Sequence, residues 1–133
     1  MQENDRKVID KPEIDTFLED CAEIGVKGIS LVSDGESSVS PVFAHIIVRG
    51  SELCLSMDTG TNGFLLTPDV VDLILPHLTY LCINISAGER VRYAEIMCVK
   101  ESFHDRVLEN IRHMVKRERG LSVTIVLQMV LIP

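Results

Sequence analysis

The sequence lacks the cysteine spacing that holds metals in small motifs. Its four cysteines are far apart, so none forms a Cys-x-x-Cys pair or a similar ligand cluster. They are Cys21, Cys54, Cys82 and Cys98. The pattern therefore predicts free thiols that act as small buried apolar side chains, with Cys54 and Cys82 inside buried strands.

Positive charge and long apolar runs are also scarce. The net charge of −7 argues against nucleic acid or an anionic membrane as the main partner, because phosphate binding needs a basic face. No run approaches the ~20 apolar residues that span a bilayer, and the charged start at 1–7 has no signal-peptide character. These absences predict a cytoplasmic protein.

What the sequence does contain is a regular alternation of helical and strand patterns. The length of 133 residues predicts about one domain, here 12–133 after a charged lead-in at 1–11. The predicted helices cover about 12–24, 41–49, 68–75 and 103–119, the last one with a capping box of Ser102 and Asp105. The predicted strands are Gly28–Ser33, Leu53–Met57, Tyr80–Ile85 and Val123–Leu131. The alternation predicts an α/β fold with a parallel sheet.

A small polar turn follows each of the first three predicted strands. These turns are Ser33–Ser37, Asp58–Gly63 and Ser86–Arg90. Because parallel α/β folds bind ligands at the carboxyl ends of their strands, we expect the three turns to line one site.

Four segments, taken in order, resemble elements of the radical S-adenosylmethionine enzymes. Ile29–Ser37 resembles their strand with the GGEP element, and Thr61–Leu66 resembles the TNG element. Leu81–Gly88 resembles the following SLDG strand, and Phe103–Ile111 resembles the helix after it. The resemblance implies that 12–133 forms about four βα units of a (β/α)6 partial TIM barrel.

The family's members bind S-adenosylmethionine beside a [4Fe–4S] cluster and generate a 5′-deoxyadenosyl radical that abstracts a hydrogen from substrate. The resemblance implies a cosubstrate site of Asp34, Gly35, Glu36, Ser37 and Ser86. In it the tight turn at Gly35 meets the methionine amino group, Glu36 orients the turn, and Ser86 bonds the carboxylate or the ribose. Thr61 and Asn62 are expected to face the substrate or shape the pocket. The implied substrate is a peptide, a protein or a cofactor precursor.

The cluster motif of the family, Cys-x-x-x-Cys-x-x-Cys, does not occur in this sequence. Without those thiolates the chain cannot bind the cluster in the family's manner. We expect the motif to belong to a preceding strand, so that this chain alone is inactive, or the chain to be a relative without a cluster.

Other interpretations stay open beside this one. Asp34 and Ser37 stand where the family has Gly and Pro, which favours a non-catalytic α/β binding or regulatory module. Asp58-Thr59-Gly60 also resembles aspartic proteases, which are all-β, and aspartyl-phosphate phosphatases, whose second Asp and distal acidic pair are missing.

Overall fold

A computed structural model describes residues 9–131, and it contains one four-stranded sheet in which all strands are parallel. The strands are paired in sequence order as β1 (Gly28–Leu31), β2 (Ser56–Thr61), β3 (Tyr80–Asn84) and β4 (Thr124–Gln128). The helices are α1 (Lys11–Glu23), α2 (Phe43–Glu52), α3 (Pro68–Ile74), α4 (Arg90–Met97) and α5 (Glu101–Arg117). The predicted α/β fold with a parallel sheet is confirmed. Most of the predicted lead-in, at 1–8, lies outside the described residues.

The hydrophobic core lies on one face of the sheet. In β2, Met57, Thr59 and Thr61 are buried, whereas the alternate residues of the strand are partly or fully exposed. Leu81 and Ile83 of β3 belong to the same core, together with the apolar stripes of α1, α2, α3 and α5. Since successive strand residues point to opposite faces, these helices cover a single face.

The other face of the sheet, called the open face below, is rich in small and polar residues. Ser30, Asp58, Tyr80 and Thr124 form one row of register partners across all four strands. The Ser30 hydroxyl donates to Asp58 Oδ1. No helix among residues 9–131 packs its apolar stripe on this row.

The strand β2 begins later than the sequence pattern predicts. α2 continues to Glu52, and the chain then turns at Cys54, whose φ of 62° is left-handed. Cys54 is therefore exposed in a turn, and the prediction that it lies in a buried strand is wrong. Gly50, just past the end of the helix predicted at 41–49, lies inside α2, and a Cβ there would collide with Met57 of β2.

The segment between β3 and the long helix holds α4, which the sequence pattern does not reveal. α4 buries Tyr93 and leaves Val91 and Ile96 exposed, so its apolar residues do not form one stripe. The predicted capping box of Ser102 and Asp105 is also wrong. α5 begins at Glu101, and the Asp105 carboxylate instead pairs with Arg90 of α4 at 3.3 Å.

Among the α-helices, only α1 begins with a side-chain cap in the described part of the chain. α1 has a capping box in which Asp10 and Glu13 exchange backbone and side-chain hydrogen bonds. α2 begins at Phe43, and Ser40 Oγ accepts a long bond from Val42 N at 3.4 Å. Across residues 9–131, none of the helices has both the length and the apolar character needed to cross a membrane.

Candidate ligand site at the carboxyl edge of the sheet

The three predicted polar turns lie at one edge of the sheet. All four strands run in the same direction and pair in sequence order, so their carboxyl ends share one edge, called the carboxyl edge below. The register confirms the alignment, because Thr61 pairs with Ile83 and Ile83 pairs with Leu127 near the ends of their strands. The second turn is shorter than predicted, since Asp58–Thr61 belongs to β2.

Glu36 joins the first turn to the second. Its Oε1 accepts hydrogen bonds from Ser38 N at 3.1 Å, from Ser38 Oγ at 2.6 Å and from the Thr61 hydroxyl. Its Oε2 accepts a bond of 2.7 Å from Asn62 N. Both carboxylate oxygens are thus satisfied within the protein, and Glu36 fixes the position of the turn that carries it.

The surroundings of Glu36 favour its charged form. Burial raises the pKa of this carboxyl, but the hydrogen bonds from Ser38, Thr61 and Asn62 outweigh it and hold the pKa below its ordinary value of 4.5. The carboxylate is therefore ionised at neutral pH, where it accepts all four bonds.

Thr61 and Asn62 contribute to the same network. Thr61 is 2% exposed, and its Oγ1 accepts from Gly63 N at 3.1 Å while the hydroxyl donates to Glu36. The side-chain oxygen of Asn62 accepts from Phe64 N at 3.0 Å, which is an Asx turn. The structure thus gives both residues a part in holding the loop, and their contact with a substrate stays a prediction.

The loop after β2 is also anchored on α5. Asn110 is 4% exposed, and its amide donates to the carbonyls of Gly63 at 2.9 Å and Phe64 at 3.2 Å. The Phe64 ring stacks on Phe103 with centroids 4.1 Å apart. The Arg106 guanidinium carbon lies over the Phe64 ring, 4.3 Å from its centroid. These contacts hold the loop against the outer helix layer.

The first turn is more open than the resemblance implies. Asp34 and Gly35 are exposed, and the Ser37 hydroxyl donates to Ser33 Oγ at 3.4 Å. Gly35 does not have a left-handed φ, and a Cβ placed there would meet no atom within 4 Å. The expectation of a turn tight enough to need glycine is therefore wrong at Gly35, whereas Gly63, with a φ of 77°, meets it.

Ser86 lies in a separate part of the carboxyl edge, where a cleft of about 660 Å³ opens beyond β3 and β4. We call it the Ser86 cleft. Its lining residues are Asn84, Ile85, Ser86, Ala87, Gly88, Glu89, Arg92, Ile96, Gln128, Met129, Val130 and Leu131. The volume is typical of small-molecule sites. The hydroxyl of Ser86 contacts Met97 Sδ at 3.0 Å.

The chemistry of the Ser86 cleft combines apolar walls with a few polar groups. Asn84 and Gln128 are register partners at the ends of β3 and β4, so their amide side chains lie on the open face. Glu89 and Arg92 add one charge of each sign at the start of α4. Glu89 belongs to the predicted turn Ser86–Arg90, whereas sequence reasoning missed Asn84, Arg92 and Gln128, because the cleft brings together segments that are about 40 residues apart. A signal was present in the polar ends of both strands.

The cysteines do not come together. Cys21 is on α1, Cys54 follows α2, Cys82 is on β3, and Cys98 ends α4 with a left-handed φ of 53°. Among the residues that the structure describes, no three His, Cys, Asp or Glu side chains are grouped as metal ligands would be. The described residues do not fit an iron–sulfur cluster.

An aspartyl-phosphate phosphatase would need its aspartate at the end of a strand. Asp58 is instead the third residue of β2. Its carboxylate accepts from Ser30 on the open face. The α/β fold also disagrees with the all-β aspartic proteases.

Comparison with known proteins adds no identification. No protein-family model matches the sequence, and no curated protein matches it either. The radical S-adenosylmethionine resemblance therefore stays a prediction that rests on the motifs quoted above.

Proposed function

We propose that this chain forms part of the wall of a radical S-adenosylmethionine type barrel and binds S-adenosylmethionine at the carboxyl edge. The observation that carries the proposal is the placement of the polar turns and the Ser86 cleft at one edge of an all-parallel sheet. Ligands of α/β proteins bind at this edge.

The topology favours a barrel wall rather than a doubly wound sheet. The strands follow one another as β1-β2-β3-β4, and the helices of the core cover one face. A doubly wound sheet reverses its strand order at a switch point and carries helices on both faces. A barrel wall has helices outside and an inner face free for side chains and ligands, as the open face is here.

The Ser86 cleft offers groups suited to the parts of S-adenosylmethionine. The Ser86 hydroxyl would bond the carboxylate or a ribose hydroxyl, and the Glu89 carboxylate would attract the sulfonium. The amides of Asn84 and Gln128 supply donors and acceptors for the polar edge of a purine. Apolar residues such as Ile96 and Val130 would cover the base.

Glu36 acts as a positioning residue in this proposal. Its bonds to Ser38, Thr61 and Asn62 N hold the first two loops together. The exposed carboxylate of Asp34 and the backbone around Gly35 then remain to meet the methionine amino group.

A bound [4Fe–4S] cluster would supply the electron that cleaves the sulfonium in this family. Because the described residues do not fit that cluster, no radical step is assigned to this chain. We expect no 5′-deoxyadenosine after anaerobic treatment of the chain with iron, sulfide, S-adenosylmethionine and a reductant. Formation of 5′-deoxyadenosine would contradict this assignment.

Calorimetric titration of the chain with S-adenosylmethionine tests the proposal. Ser86→Ala should weaken binding about five- to tenfold, since one hydrogen bond to a polar ligand contributes ~1 kcal/mol. Ser122→Ala is the matched control, because Ser122 is exposed and precedes β4 at the opposite edge of the sheet. Equal loss in both variants would count against the cleft.

A second candidate is a non-catalytic binding module for another ligand. The complete internal use of the Glu36 carboxylate favours it, because this group has no oxygen left without a partner. Two results together would favour the module. The chain would not bind S-adenosylmethionine, and it would bind a different small molecule whose binding Ser86→Phe blocks.

A further inference from the structure

We propose that two copies of this chain close one eight-stranded barrel. In it, β4 of each copy pairs with β1 of the other, and α5 of each copy packs on α1 of the other. The proposal concerns the free edges of β1 and β4 and the outer helix layer, and it does not depend on the ligand.

The strand edges fit such a closure. Within residues 9–131, β1 pairs with β2 alone and β4 pairs with β3 alone, so each leaves one edge of backbone N–H and C=O groups without a strand. Free edges of this kind recruit further strands. A two-fold operation that sets β4 beside β1 of the second copy satisfies both free edges at once. The resulting eight parallel strands are the number found in closed β/α barrels.

The helix order fits as well. Every strand of this chain is preceded by a helix that packs on the core face, and α1 stands before β1. In a closed pair, α1 of the second copy would take the place of the helix that covers the junction of β4 and β1. In the described part of a single chain, no helix covers Leu127 on the core face of β4. It is 53% exposed, whereas Ile83, its register partner, is fully buried.

The side of α1 turned away from α2 is apolar and exposed. α2 contacts α1 through His45 to Asp15 at 2.7 Å and through Arg49 to Glu19 at 2.8 Å. At 100° per residue, Phe17 lies about 160° around the helix from both acidic residues. Phe17 is 55% exposed, and Ile24 at the helix end, on nearly the same side, is 79% exposed.

α5 has an equivalent side turned away from α3. α3 contacts α5 through Asp72, whose Oδ1 accepts from His113 at 2.9 Å and from Arg117 at 2.7 Å. Val115 lies about 160° around the helix from both of these residues, and it is 51% exposed. Arg90 of α4 covers the first turns of α5 and leaves the turn of Val115 open.

The charges beside the two apolar sides are opposite. α1 carries Asp20 and Glu23 in its last turns, and α5 with the following residues carries Arg112, Lys116 and Arg119. In the described part of the chain these five side chains make no ion pair. Helices that cover one face of a parallel sheet run side by side in one direction, so the last turns of α5 and α1 would meet. One chain therefore carries both halves of this interface, so the partner that fits it is a second copy of the same chain.

Sedimentation equilibrium of the full chain tests the proposal. We expect a species of twice the 14.9 kDa chain mass at micromolar concentration. A monomer would overturn the proposal and leave these faces to another segment or another protein. Aggregates larger than a pair would also overturn it, because a closed barrel has no free edge to extend.

Variants make the test specific. Phe17→Ser, Asp20→Arg and Arg112→Glu should each raise the dissociation constant of the pair at least tenfold while the circular dichroism spectrum is kept. The double variant Asp20→Arg with Arg112→Glu should recover most of the loss, since it restores opposite charges. Leu73→Ser is the control, because Leu73 is 52% exposed on α3, away from both sides. A pair that responds equally to Leu73→Ser, or not at all to the charge reversals, would refute this interface.

Discussion

At the scale of single residues, Glu36 is the group on which the order of the carboxyl edge depends. Its carboxylate accepts four hydrogen bonds from three residues, of which Ser38 follows β1 and Thr61 and Asn62 lie at the end of β2. Because the charged form makes all of these bonds, folding and ionisation of Glu36 are coupled. These bonds hold the loop after β1 and the loop after β2 in one arrangement.

Glu36→Gln should lower the free energy of unfolding by about 1–3 kcal/mol at pH 7. The substitution replaces one carboxylate oxygen with an amide NH2 group, which cannot accept the bond from Ser38 N or Asn62 N. The folded-state pKa of Glu36 is lowered, so its contribution is present above about pH 4.5 and lost as the pH falls through the folded pKa. Urea unfolding at several pH values measures this. The difference between wild type and variant should shrink below pH 4.5, and a constant difference would contradict the ionic role.

Gly63 and Gly35 differ in backbone conformation, since only Gly63 has a left-handed φ. Gly63 has a φ of 77°, and a Cβ there would lie 3.2 Å from Ile83 Cγ2. Gly63→Ala should therefore destabilise the fold by roughly 1–3 kcal/mol. Gly35→Ala should change the stability by less than about 0.5 kcal/mol, as exposed substitutions do. Thermal unfolding compares the two, and equal effects would disprove this distinction.

Two cysteines occupy left-handed positions that glycine would suit better. Cys54 and Cys98 have φ values of 62° and 53°, and both are exposed. Cys98→Gly should stabilise the end of α4 by about 0.5–1 kcal/mol, because glycine has no Cβ penalty there. Chemical unfolding under reducing conditions is the measurement. A loss of stability would show that the Cys98 thiol contributes packing that its exposure conceals.

At the scale of elements, α5 holds the loop after β2 in place. Asn110 donates to two carbonyls of that loop from a buried position. Asn110→Ala should cost about 2–4 kcal/mol, since it removes two buried hydrogen bonds and leaves acceptors without partners. Hydrogen exchange should quicken beyond the global effect at the Gly63 amide, which bonds Thr61 Oγ1 only while the loop stays in place. Asn62→Ala, which removes the local Asx turn alone, serves as the milder control.

The elements also show how far the sequence carries a prediction. The apolar pattern of Tyr80–Ile85 predicted a parallel strand, and β3 lies within it, although only one of its faces is covered. The start of β2 was missed because the left-handed turn at Cys54 has no glycine to mark it. α4 was missed because its burial rests on Tyr93 and not on a stripe. Glu36 could be singled out as an orienting residue, but its partners Ser38 and Thr61 are set by loop geometry that periodicity does not encode.

At the scale of the whole molecule, the two faces of the sheet are covered unequally. One face carries the helices and the core, and the other presents a row of polar groups that includes Asp58 and Tyr80. The carboxyl edge adds the Ser86 cleft. The sequence predicted a site at the turn that holds Ser86, but not its other wall, because Gln128 and Val130 join Ser86 only when β4 pairs with β3.

Ligand-induced NMR shifts on the isotope-labelled chain show where S-adenosylmethionine binds. Addition of S-adenosylmethionine should move the amide signals of Ser86, Gly88 and Gln128 at the carboxyl edge. The signals of Gly120 and Ser122, which lie beyond the amino end of β4, should stay in place. Absence of any shift at millimolar ligand, or shifts confined to the amino edge, would contradict the claim that this edge binds S-adenosylmethionine.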